Sequence, residues 1–187
     1  MDSAIQASIP PAEPPTLPPQ ALVVMGVSGC GKSSVAQMLA ASLGWTLHEG
    51  DTYHSAESVR KMQAGIALTD EDRGSWLAHL SDILATARPG AGIVLTCSAL
   101  KRKYRDRLRQ AQAPGALGFV FLDLDYATAL QRVQARPGHF FSPDLVANQF
   151  ATLERPEGEA SVLGVDATLA LAQIVRRVNT WLAPAQP

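Results

Sequence analysis

Apolar residues along this chain gather into five short runs, and polar, helix-spaced stretches separate them. The runs are Ala21–Met25 (ALVVM), Trp45–Asp51 (WTLHEGD), Gly92–Thr96 (GIVLT), Gly118–Leu124 (GFVFLDL) and Ser161–Asp166 (SVLGVD). Runs this short, rich in Val, Ile, Leu and Phe, predict buried strands. After the first run, Val35, Met38, Leu39 and Leu43 recur at helical spacing, and Gly44 predicts the stop. Ala56–Gly65 predicts a short helix. Thr69–Arg88 predicts a longer one, with Thr69 and Asp70 as caps and a core stripe of Trp76, Leu77, Leu80, Ile83 and Leu84. Lys101–Arg109 predicts a basic helix, and Tyr126–Arg136 one that halts at Pro137-Gly138. Ser142–Glu154 opens with Ser142 as cap and Pro143 at the first helical position, and Ala167–Leu182 closes the chain. Strands alternating with helices predict an α/β fold: a five-stranded parallel sheet with helices on both faces, three layers in all.

The 187 residues suit one domain, and 47% hydrophobic residues suffice for its core. The domain is expected over residues 21–183. Residues 1–20 carry six of the thirteen prolines and predict a disordered, proline-rich tail. A net charge of −1 offers no field for nucleic acid or an anionic membrane. The basic helix has one aromatic residue, Tyr104, and so lacks the stacking series of a nucleic-acid platform. No apolar run reaches membrane-spanning length, and no Lys or Arg precedes Lys32, so neither a membrane partner nor a targeting segment is expected. Two cysteines, Cys30 and Cys97, suggest no disulfide framework, and a reducing cytoplasm is the expected location.

Chemistry enters at Gly26–Ser33, which read G-V-S-G-C-G-K-S. This satisfies every fixed position of the phosphate-cradling loop G-x-x-x-x-G-K-[ST]. A strand before it and a helix after it are what the loop requires. Glycines turn backbone N–H groups toward phosphate oxygens, and the helix dipole adds to the attraction. A nucleotide is therefore the expected ligand, ATP if the chain is a kinase. Its contacts are expected from Gly26, Val27, Ser28, Gly29, Cys30, Gly31, Lys32, Ser33 and Ser34, with Lys32 on the β- and γ-phosphates and Ser33 on Mg²⁺.

In a parallel sheet of this kind ligands bind beyond the carboxyl ends of the strands. Asp51 ends the second run and is the candidate base for an acceptor hydroxyl, with a share in the Mg²⁺ shell. Arg132 and Arg136 lie four apart on one helix face. They are candidates to meet the charge of a moving phosphoryl group, from a lid running to about Phe141 and hinged near Pro137-Gly138. A GTP switch would need N-K-x-D and D-x-x-G, and neither is present where required. A pure nucleotide-binding interaction module would leave Asp51 and the arginines without a role.

Four blocks taken in order, MGVSGCGKS, GDTYHSAESVRKMQAGIALTDEDRGSWL, CSALKRKYRDRLR and RVQARPGHFFSPDLVANQFATLERP, resemble gluconokinase of the short, P-loop type. The loop alone is widely shared, but the other three blocks are far more specific. The resemblance implies the P-loop kinase fold of shikimate and nucleoside-monophosphate kinases. It implies ATP-dependent phosphorylation of D-gluconate at the 6-hydroxyl, and a homodimer. Another small-molecule kinase of this fold, shikimate kinase for example, is the alternative. A gluconate pocket needs a cation for the carboxylate, ideally an arginine fork. Candidates near the strand ends are His54, Arg60, Lys61, Arg73, Lys101 and Arg105, with Arg60 and Arg73 favoured. Cys30 stands where serine is more usual, and an accessible thiol there would make the loop oxidisable.

Overall fold

Every residue of the first strand, β1 (Ala21–Met25), is buried, because both faces of it carry core. The computed structural model describes residues 19–136 and 142–183. Four more strands follow: β2 (Thr46–Glu49), β3 (Ile93–Thr96), β4 (Leu117–Asp123) and β5 (Val162–Asp166). All pair in parallel, in the order β2-β3-β1-β4-β5, with Val24 opposite both Thr96 and Val120.

The alternation along β1 sorts the helices into two layers. Leu22 and Val24 face a cluster fed by α1 (Lys32–Leu43), α5 (Tyr126–Gln134), α6 (Leu145–Thr152) and α7 (Leu171–Leu182). Ala21, Val23 and Met25 face a second cluster with Trp76, Leu77, Leu80 and Leu84 of α3 (Gly74–Ala85) and Tyr104 and Leu108 of α4 (Arg102–Arg109). The short α2 (Ala56–Gln63) inserts Met62 into the first cluster. The three-layer expectation holds. Its central strand holds the phosphate loop, and β3 beside it ends at the same level.

Several boundaries move, each for a local reason. The second strand ends at Glu49, and Gly50–Tyr53 form one 3-10 turn that carries Asp51. The third helix begins at Gly74. Thr69 and Asp72 satisfy each other instead: Thr69 N–H donates to the Asp72 carboxylate (3.0 Å) and Asp72 N–H to the Thr69 hydroxyl (3.2 Å). This closes a separate turn, a capping box with no helix attached. Asp70 is no cap, because it reaches across to Lys101, Lys103 and Tyr104. The sixth helix begins at Leu145, with Ser142 accepting from Asp144 N–H in the turn before it, so Pro143 precedes the helix. The last helix begins at Leu171, because Asp166 accepts from the Thr168 N–H and hydroxyl and closes a turn first. Most of the expected tail lies outside the described residues. Gln20 is tied to the start of the sheet, since its N–H donates to Ala116 (2.9 Å) and its carbonyl accepts from Ile93 (3.1 Å). Among the described residues no helix is long and apolar enough to cross a membrane.

Candidate active site

The chain leaves β1 at Gly26 and enters α1 at Lys32, so the loop between them sits at the positive end of α1. Gly29 has φ +85°, and a Cβ there would meet the Ala129 carbonyl at 2.9 Å, so the loop lies directly on α5. The Lys32 ammonium donates to the carbonyls of Gly26 (3.1 Å) and Val27 (3.0 Å), bridging the loop from within. The Gly26 N–H is held by the Ser98 carbonyl (3.3 Å), which ties the loop to the end of β3. Cys30 is buried, and burial pushes its thiol pKa up. The accessible, oxidisable thiol is therefore not what the fold provides.

A cleft of about 440 Å³ opens beside the loop. Its walls include Ser28, Gly29, Gly31, Lys32, Ser33, Ser34, Asp51, Arg132 and Arg136. Residues expected to act together from three separate stretches of sequence thus share one cavity. Arg132 is held in place, with Nη1 donating to the carbonyls of Gly29 and Ala167, both at 3.3 Å. Arg136 lies two residues beyond the end of α5, not on its face as expected, and is exposed at the rim. The lid expected from Pro137 to Phe141 lies outside the described residues.

Glu49, which the sequence pattern did not single out, reaches the phosphate loop at Ser33. Its carboxylate accepts from the Ser33 hydroxyl (3.0 Å) and the Thr96 hydroxyl (2.8 Å). The signal was present: Glu49 and Asp51 are two apart at a strand end, the spacing that lets both reach one ligand. Gly50 between them allows the close turn, since a Cβ there would lie 2.1 Å from the Thr96 carbonyl oxygen. The Gly50 N–H donates to Thr96 Oγ1 (3.0 Å), and its carbonyl accepts from the Trp76 indole (2.8 Å).

Beyond Asp51 lie two more of the candidate residues, His54 and Arg73, outside the walls of the cleft. His54 stacks on Trp76 with centroids 4.2 Å apart, and its Nδ1 is buried without a partner among the described residues. Burial lowers its pKa to about 4, helped by Arg73 and opposed by Asp51. The ring is neutral at pH 7. Arg73 is half-buried beside the Tyr104 ring, 5.8 Å from its centroid, and its charge acts on His54 and Cys97 alike. Burial pushes the Cys97 thiol up to about 12, so it offers no nucleophile.

The other cations go elsewhere. Arg60 is exposed on α2, and Lys61 pairs with Asp72 (2.7 Å). Lys101 pairs with Asp70 (3.0 Å). Arg105, expected to face the substrate, is fully buried. Its guanidinium donates to the carbonyls of Ala99, Leu100 and Glu154 and to both carboxylate oxygens of Glu159. Every direction of the fork is used inside the protein, so no donor is left for a ligand. Arg105 instead braces the loop after β3, where Ala99 takes a left-handed φ of 45°. On the basic helix Arg109 pairs with Asp106 and Glu159, and Glu154 accepts from the Arg102 N–H at its start.

Sheet order, loop and cleft together define a kinase of the P-loop class. A family model described as an AAA domain matches residues 22–156. Gluconokinase of Gluconobacter oxydans (strain 621H) is 47% identical over 150 residues, covering 80% of this chain and 83% of that protein. The chain belongs to the gluconokinase family. The crystal structure of a gluconokinase from Sinorhizobium meliloti 1021 matches with a TM-score of 0.79 at 46% identity, covering 88% of this chain and 91% of the other. Shikimate kinase from Aquifex aeolicus shares the fold at 19% identity, with a TM-score of 0.57 over 87% of this chain and 95% of its own.

Proposed function

We propose that the chain transfers the γ-phosphoryl group of ATP to the 6-hydroxyl of D-gluconate, giving 6-phospho-D-gluconate and ADP. The observation that carries this reading is the cleft that joins the phosphate loop to Asp51, in a chain of the gluconokinase family. Lys32 exchanges its two loop carbonyls for phosphate oxygens when nucleotide enters, a swing of the side chain alone. Asp51 orients the acceptor hydroxyl and accepts its proton as the new P–O bond forms. Arg132 and Arg136 face the cleft from the far wall and answer the charge spread over the transferring group.

Arg73 is the cation best placed for the gluconate carboxylate. It is half-buried, and it has no ion pair among the described residues. His54, neutral and half-buried beside Asp51, is a further candidate for a polyol hydroxyl. Arg60 and Lys101 are left as outer members of the pocket. Magnesium fits the hard oxygens of Ser33 and Glu49, with Asp51 nearby, since this ion keeps most of its waters and takes few protein ligands. When bound it neutralises phosphate charge. As part of the same reading the enzyme is cytoplasmic, where its cosubstrate is made, and a homodimer as implied by the family resemblance. Light scattering that returns the mass of a single chain would remove the dimer.

A coupled ADP-release assay over gluconate, other sugar acids, shikimate and nucleoside monophosphates tests the substrate. Gluconate should be the best acceptor, and a chain that prefers shikimate or a nucleotide overturns the assignment. Lys32→Ala should keep the fold and lose roughly 10²-fold or more in rate, because a cation aimed at the transition state is gone. Near-normal turnover in that variant would refute the role of the loop.

A further inference from the structure

Few polar side chains are buried in this molecule, and one of them has no part in the chemistry described so far. Gln149 of α6 is 8% exposed, with Leu145 and Val146 of the same helix in the core. Its Oε1 accepts a hydrogen bond from the Ser28 N–H at 2.7 Å, across 121 residues of sequence. Ser28 lies in the middle of the phosphate loop. The next peptide but one, Gly29–Cys30, is held in the opposite sense, the Gly29 carbonyl accepting from Arg132 of α5 at 3.3 Å. Two peptides of the loop, one apart, are therefore clamped by side chains of two different helices, one through its N–H and the other through its C=O. The helices are fixed to each other as well, by Phe150 of α6 meeting Tyr126 of α5 edge-on at 5.4 Å.

The chemistry of the acceptor is informative. A loop that cradles a triphosphate works by directing N–H groups inward. An N–H committed to a neutral side-chain carbonyl stays pointing outward, which sets the plane of the Val27–Ser28 peptide and so the aim of those that follow. A carboxylate could accept the same bond. It would also place a negative charge behind the cradle, against the phosphates. An apolar side chain would leave the half-buried N–H without a partner, free to turn. The amide meets both demands.

We propose that Gln149 is a positioning residue for phosphoryl transfer, holding the phosphate loop in its nucleotide-binding shape through the Ser28 peptide. This rests on the loop's role as the ATP site, though not on gluconate being the acceptor.

The test uses the full chain with Gln149→Met, which keeps length and volume and removes the carbonyl, and with Gln149→Glu, which keeps the oxygen and adds an ionisation. In the Met variant the KM for ATP should rise, or kcat fall, by about tenfold, the magnitude of one well-made hydrogen bond. The KM for gluconate should stay within about twofold. The Glu variant should show a new step in the acid range: activity closest to wild type at the lowest pH tolerated, falling as pH rises and the carboxyl ionises, where the wild type has no such step. Calorimetric ADP binding should follow the same order. A Met variant with wild-type ATP kinetics overturns the proposal, as does one in which both KM values rise together. If the Met variant does not fold, the Glu variant decides, and a pH profile parallel to wild type overturns the proposal. If the wild type binds ADP but ignores gluconate, the substrate assignment fails while ADP binding to the variants still tests Gln149.

Discussion

Asp51→Asn should fold, bind ATP with near-normal affinity, and turn over roughly 10²- to 10⁴-fold more slowly, the range for loss of a general base. The change removes one charge and almost no volume. The carboxylate of Asp51 has no hydrogen-bonding partner among the described residues, so the fold does not depend on it. What it loses is the group that orients the hydroxyl and takes its proton. Steady-state kinetics beside a melting curve separates the outcomes. A variant that melts early but keeps its turnover per folded molecule would make Asp51 a turn residue of the 3-10 segment and nothing more.

The second large effect concerns the acceptor's charge. Gluconate should outrun glucose by roughly 10³-fold in kcat/KM, because a half-buried arginine without its carboxylate is left unpaired. Arg73→Ala should raise the KM for gluconate by roughly 10²-fold and leave the KM for ATP unchanged, since a truncated charge pair acts on the ligand it held. Arg132→Ala and Arg136→Ala should instead lower kcat more than gluconate affinity, because their charge matters most when the phosphoryl group moves. Equal use of glucose and gluconate by the wild type would defeat the carboxylate pocket. Matching defects in Arg73→Ala and Arg132→Ala would defeat the separation of pocket from phosphoryl clamp.

Much of this architecture could be read from local pattern. The five apolar runs became five strands, and Gly44 ended α1 in the left-handed conformation that a glycine stop implies. The phosphate loop was legible because its function depends on backbone shape, and glycine spacing records backbone shape directly. What stayed hidden was decided by partners distant in sequence. Arg105 reads as one more cation on a basic helix, and only Glu159, 54 residues later, turns it inward. Asp70 reads as a cap until Lys101, Lys103 and Tyr104 claim it. Gln149 reads as an ordinary polar position on a short helix, since nothing near it announces that it faces Ser28. Glu49 is the exception, a residue whose place could have been inferred from its spacing to Asp51.

The stacking of His54 on Trp76 has a practical side. The protein has three tryptophans. Trp45 lies over Gly92, and Trp181 against Gly118, both near the amino ends of their strands and remote from the cleft. Trp76 instead touches the proposed acceptor residues, through the His54 ring and the Gly50 carbonyl beside Asp51. An imidazole stacked on an indole alters its emission, and a sugar acid drawn onto His54 would shift that stack. On the proposed assignment of His54 to the acceptor, the protein therefore carries its own optical probe of acceptor binding, against a background of two spectator indoles, readable without label or turnover.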